Sequence, residues 1–226
     1  MLNHRNYALV SSLLFLVIPV LVLLVAGCGK KPVPPEDPPK IVAGERFFPM
    51  HDGDIWNYTT GVIRKVDGDT TIGGYPCKRV LQASVTSQAW SITSERFAQH
   101  LLDGSIEFMP PLAIPLDLQK GTPHEFNSLG INHDAVPGSN DPLQVDSVRT
   151  MGTLSFDGYV TRTINNVDLD SCIKLDYDYV DSVYFADDTV EPFSSQYSEY
   201  YARGIGLIDD GDIQLLQATI DGETKP

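Results

Sequence analysis

Six Asp-Gly dipeptides punctuate this chain, at 52–53, 67–68, 103–104, 157–158, 210–211 and 221–222. Asp-Gly supplies the positive φ angles that tight hairpin turns demand, and a chain that turns this often has little room for long helices. Between the turns lie short runs rich in β-branched and aromatic residues: 55–65, 77–85 after a Gly73-Gly74 turn, 96–102, 105–109, 147–156, 159–165, 172–179, 182–185, 196–202 and 213–220. Two pairs of runs bracket an Asp-Gly, around 103–104 and 157–158, and predict hairpins there. No window carries a capped stripe with 3.6-residue period, although residues 90–102 also admit a short helix starting at Ser94. The expectation is a mainly β domain with little helix, an antiparallel sheet that is curved or half-barrel-like. A faint echo at a period near 100 residues sets Tyr75-Pro76-Cys77-Lys78-Arg79-Val80 beside residues 170–175, and Arg96-Phe97-Ala98 beside Tyr200-Tyr201-Ala202. It suggests two similar β meanders, 41–110 and 120–220, joined where prolines and glycines break the pattern. Coincidence among short amphipathic strands explains the echo equally well.

The first residues carry different information. Arg5 precedes an uncharged, Leu- and Val-rich run over 7–26, which is about long enough to span a bilayer. Pro19 interrupts that run, and the small pair Ala26-Gly27 comes directly before Cys28. Both details favour a cleaved signal over a retained membrane helix, while Lys30 and Lys31 after the run hint at the opposite orientation. Leu24-Val25-Ala26-Gly27-Cys28 resembles the lipobox of bacterial lipoproteins. The resemblance implies cleavage between Gly27 and Cys28, acyl chains on Cys28 as the membrane anchor, and, with Gly29 next, sorting to the outer membrane. Residues 1–27 are then a signal peptide, and 28–40 an acylated cysteine with a tether holding five prolines in 30–40, extended at about 3.1 Å per residue. Docking of that Pro-rich stretch in a groove is the lesser alternative. Residues 41–226 form a single extracytoplasmic β-rich domain.

Charge narrows the partners. The chain holds 30 acidic and 16 basic residues, a net of −14. Removal of residues 1–27 takes only Arg5, leaving 15 minus 30, or −15. Binding to nucleic acid or to anionic head groups by charge is disfavoured, and the many Asp residues read as solvated turns. Beyond Cys28, two cysteines remain in an oxidising compartment. A disulfide between Cys77 and Cys172 is one expectation and two buried free thiols the other.

Phe47-Phe48-Pro49-Met50 followed by Gly53-Asp54-Ile55-Trp56-Asn57-Tyr58 resembles the opening Y-F-P-x-x-x-G-x-x-W-x-Y of a broad group of bacterial lipoproteins of unknown function. Asp170-Ser171-Cys172-Ile173-Lys174, and then Glu199-Tyr200-Tyr201-Ala202-Arg203-Gly204-Ile205-Gly206-Leu207-Ile208, resemble that group's later N-C-x-K-V and Y-A-x-G-V-G-L-V patterns. Order and spacing agree over most of 47–215. Phe47 replaces the usual Tyr, and residues 129–142 have no counterpart. The resemblance implies a β-rich extracytoplasmic domain and no established chemistry. From the residues alone, Trp56 and Tyr58 read as core aromatics, with a ligand-stacking platform as the alternative. Gly204 and Gly206 permit a bulge, and they lack the third glycine and following helix of a nucleotide loop.

No catalytic constellation stands out. His51, His100, His124 and His133 show no paired spacing on a helix face, and no G-x-S-x-G elbow occurs. A loop metal site from His124 and His133, near Glu125 and Asp134, is a minor alternative to exposed loop residues. Asp209, Asp210 and Asp212 are the best calcium candidates, but the twelve-residue loop ending in Glu is missing. Asp176 and Asp178 alternate with Tyr177 and Tyr179, which in a strand puts acids on one face and rings on the other. No cofactor is expected. The function expected is a membrane-anchored, non-catalytic β domain that binds an envelope protein, lipid or glycan, facing periplasm or surface. An envelope hydrolase with an unrecognised site is the alternative.

Overall fold

The computed structural model describes residues 46–83, 85–139 and 141–226. The segment expected to be a signal peptide, Cys28 and the Pro-rich stretch lie outside the described residues. Thirteen strands follow one another: β1 (Ile55–Tyr58), β2 (Ile63–Ile72), β3 (Tyr75–Gln82), β4 (Val85–Ile92), β5 (Arg96–Leu102), β6 (Ile106–Pro115), β7 (Pro123–Asn132), β8 (Val145–Ile164), β9 (Val167–Phe185), β10 (Val190–Ala202), β11 (Gly206–Asp209), β12 (Leu215–Ile220) and β13 (Glu223–Lys225). All belong to one antiparallel sheet, a meander from β1 to β11, with β12 and β13 added beyond β1. No α-helix occurs among the described residues. The mainly β, antiparallel expectation is met.

Curvature follows from the connections. β11 is one edge of the sheet and β12 lies near the other, yet only residues 210–214 join them, and Asp209 bridges to Gln214. The sheet must curl until its ends meet at that bridge. No ladder joins β11 to β12, so the sheet is curved but unclosed.

Some turns fall where Asp-Gly predicts them. Leu102 pairs with Ile106 across 103–104, and Ile220 with Glu223 across 221–222; Gly73-Gly74 turns between Ile72 and Tyr75. Two Asp-Gly pairs behave differently. Residues 157–158 form a bulge within β8, because Phe156 and Gly158 both go on pairing with β9, opposite Leu175 and Lys174. Residues 67–68 form another within β2, between Val66 and Asp69. A glycine at positive φ serves a bulge as readily as a turn, and pairing on both sides decides which forms. The β8–β9 turn is instead Asn165-Asn166, with φ of 51° and 63°, the two-residue geometry that matches strand twist. Residues 55–65 split at 59–62 into β1 and β2, and residues 90–102 are strand rather than helix. β7 crosses a region where prolines promised only a break.

The β8–β9 hairpin, 20 and 19 residues long, organises the interior. At its turn, Ile164 and Cys172 pack with Trp56, Tyr58, Val66, Ile208 and Leu215. Farther along, Leu154, Phe156, Ile173 and Leu175 pack with Phe47, Phe48, Phe97 and Tyr201. Beyond that second cluster the same inward face carries Thr150, Tyr177, Tyr179 and Asp181, and the core gives way to a cavity.

Candidate functional site

Strand alternation builds the cavity. On β9, Ile173 and Leu175 enter the core, and the next inward positions, Tyr177, Tyr179 and Asp181, line the cavity. Asp176 and Asp178 lie on the opposite face, where Asp176 meets Lys174 and Ser198 and Asp178 meets Gln196. The alternation expected of acids and tyrosines is therefore present. β10 repeats it: Tyr197, Glu199 and Tyr201 all face inward. β5 and β6 supply Phe97, Leu102, Phe108, Leu112 and Ala113, and β7 supplies Phe126. The space enclosed is about 260 Å³, near the lower end of small-molecule pockets at ~300 Å³.

Backbone proximity shapes this wall. Gly152 of β8 stands opposite Tyr179, and a Cβ there would collide with the Asp178 carbonyl and with Tyr179 itself. Gly130 of β7 leaves the same kind of room for Ile106 and Phe108. Both glycines let a large cavity-lining side chain lie close against the neighbouring strand.

The charged groups lining the cavity are two, Asp181 and Glu199, both acidic. Tyr201 donates its hydroxyl to Glu199 Oε2 at 2.8 Å. Burial pushes the Glu199 carboxyl above the usual carboxylate range, while hydrogen bonds from Tyr177 and Tyr201 pull it back. Burial raises the Tyr177 and Tyr201 hydroxyls in turn, reinforced by the Glu199 charge. Thr150 Oγ1 donates to Asp181 Oδ1 at 2.6 Å, and burial raises this carboxyl too, with the Thr150 bond opposing. Tyr177 and Tyr197 stack with centroids 4.9 Å apart, and Tyr179 meets Tyr197 edge-on at 5.9 Å.

A second cavity of about 120 Å³ adjoins the first and shares Phe97, Gln99, Glu199 and Tyr201 with it. Trp56, Tyr58 and Trp90 line it, with Arg64, Gln88 and Asp210. Arg64 Nε and Gln88 Oε1 are buried without a hydrogen-bond partner. Trp56 and Tyr58 are thus core aromatics, 3% and 2% exposed, that also wall this smaller space. Trp56 Nε1 donates to the Ile205 carbonyl, and Gly206 follows at φ +98° with the Trp56 ring against it.

The remaining residues singled out from the sequence are dispersed. The bridge between Cys77 and Cys172 is not formed: both are free and buried, on β3 and β9, six strands apart in the sheet order. Each packs in its own apolar cluster, and each thiol donates to a carbonyl, of Tyr75 and Leu169 respectively. The calcium candidates are otherwise engaged. Asp209 pairs with Arg162 and accepts from Gly211 N, Asp210 Oδ1 accepts from Asp212 N and Ile213 N, and these bonds shape the β11–β12 turn. Among the described residues no group of three or more His, Cys, Asp or Glu is placed to hold a metal ion. His133 meets Glu107 at 2.9 Å on the surface. His100, 2% exposed, meets Ser91 Oγ at 2.7 Å, and burial lowers its pKa with Arg96 adding to the effect.

No protein-family model, curated protein or solved structure matches this chain. Its functional reading therefore rests on its own geometry.

The sequence passes over Glu199 and Asp181 as site residues, one within an aromatic fragment and the other within an acidic run. The signal was their parity. Tyr197, Glu199 and Tyr201 occupy alternate positions of one strand, as do Tyr177, Tyr179 and Asp181, so each acid shares a face with rings.

Proposed function

We propose that this chain is a lipoprotein of the bacterial cell envelope, anchored through acylated Cys28 and held off the membrane by its Pro-rich tether, whose β domain binds a small apolar ligand. The observation that carries the ligand reading is the cavity of about 260 Å³ inside the curved sheet, walled mainly by rings and aliphatic side chains, with two charged groups among them. Carriage of a lipid or other apolar molecule is the version closest to periplasmic half-barrels, by analogy of shape alone.

Two experiments test the two halves. An environment-sensitive apolar dye should brighten on binding the full chain, and Leu112→Trp, which enlarges an inward side chain of the cavity wall, should abolish the response while leaving the β-sheet circular dichroism unchanged. An undiminished response in that variant would place the dye elsewhere. Cys28→Ala should lose acyl labelling and accumulate as uncut precursor or be released; membrane-bound protein of mature size would refute the anchor.

Partner binding is a second reading with its own support. Met109, Leu129, Ile131, Met151 and Val180 lie exposed on the face opposite the cavity, and Met109 with Leu129, and Met151 with Val180, are cross-strand pairs. Clustered exposed apolar side chains mark interaction surfaces more often than chance scatter does.

A further inference from the structure

If the cavity is a ligand site, its charges say what kind of ligand fits. Among the residues lining the larger cavity are two carboxylates, Asp181 and Glu199, and no Lys, Arg or His. Along the β9–β10 ladder Glu199 pairs with Leu175, and Asp181 lies six residues farther up, about 20 Å at ~3.3 Å per residue. Each acid marks one part of a long wall whose middle is tyrosine. Hydroxyl hydrogen bonds from Thr150 and Tyr201 reach the two carboxylates, but neither brings a positive charge. The nearest base, Arg64, lines the adjoining cavity with Asp210 and Glu199, and its charge partly offsets Glu199 from there. Counted over both cavities, three acids face one base. A half-buried carboxylate whose charge is not fully balanced is costly, and a ligand that supplies the missing charge recovers part of that cost. Tyr177, Tyr197 and Tyr201 gather around Glu199, and electron-rich rings attract an organic cation in a partly dehydrated site. An anionic ligand in the larger cavity would meet two like charges and no basic side chain lining it.

We propose that the cavity binds an organic ammonium cation with an apolar body, its charged nitrogen beside Glu199 among these tyrosines and its body against Phe108 and Leu112. This inference depends on the ligand reading above, and the test separates the two.

Hexyltrimethylammonium, 1-hexanol and hexanoate, equal in chain length, are titrated by calorimetry into the full chain in a non-ionic detergent, against detergent blanks. The cation should bind at least tenfold more tightly than the alcohol or the anion, and Glu199→Gln should remove that preference. Binding of hexanol or hexanoate within tenfold of the cation overturns the ammonium proposal and leaves the apolar-ligand reading standing. A cation preference that survives in a folded Glu199→Gln variant overturns the placement at Glu199. Should none of the three bind, the ligand reading fails and the ammonium proposal with it. The wild-type comparison decides the ligand class even where the variant does not fold.

Discussion

Glu199 accepts a hydrogen bond from Tyr201, its neighbour two residues along β10, at 2.8 Å inside a cavity lined by no basic side chain. The carboxyl has hydroxyl partners in this cavity and meets a positive charge only from Arg64 in the adjoining one, while Asp181 has Thr150. Burial raises both carboxyls above their ordinary range.

That raise has a sign for stability. Each carboxyl holds its proton more tightly in the folded chain than in the unfolded one, so its contribution is most favourable below the unfolded pKa of ~4 and is lost as pH rises through the raised folded value. Exposed Asp52, Asp67 and Glu223, held low by Lys78, by Lys65 with Arg79, and by Lys225, act in the opposite direction and are screened by solvent. Glu199→Gln combined with Asp181→Asn should therefore flatten the fall in melting temperature between about pH 4 and neutrality. A slope unchanged in the double variant would contradict the assignment.

Both cysteines of the β domain are buried, and burial raises both thiols above the ordinary value. A raised, enclosed thiol is a poor nucleophile. Alkylation of Cys77 and Cys172 should be slow in the native protein and complete in denaturant without reductant. A disulfide-linked peptide joining the two in a non-reducing map would refute the separate clusters.

Asp54 fastens the sheet's first strand to its last turn. It is 1% exposed; Oδ2 accepts from His51 N and Oδ1 from Asp221 N, both at 2.8 Å. Asp54→Ala would leave two amides unpaired near the β12–β13 turn, costing about 1–3 kcal/mol by denaturant titration. Asp54→Asn keeps one acceptor and should cost less.

Much of the architecture was legible from local chemistry. Asp-Gly and Gly-Gly fixed several hairpins, and the aromatic fragments around Trp56 and Tyr201 marked two core strands. Where reading failed, the deciding fact was non-local. Whether Gly158 makes a turn or a bulge depends on β9 pairing past it, and the Asn165-Asn166 turn carries no glycine to announce it. The cavity escaped because its wall is assembled from six strands, β5 to β10, and each short window contributes only a few of its residues. Inspection of alternate positions would have placed Glu199 between Tyr197 and Tyr201; nothing in the sequence says that those tyrosines border empty space rather than packed core.

The most direct measurement is the mass of the full chain, isolated from its membrane in mild detergent, under denaturing and then native conditions. The denaturing mass should equal residues 28–226 plus acyl chains on Cys28. The native mass should exceed it by one small organic molecule that is absent from Leu112→Trp. Equal native and denaturing masses, or a bound molecule retained by Leu112→Trp, would contradict a ligand held in this cavity.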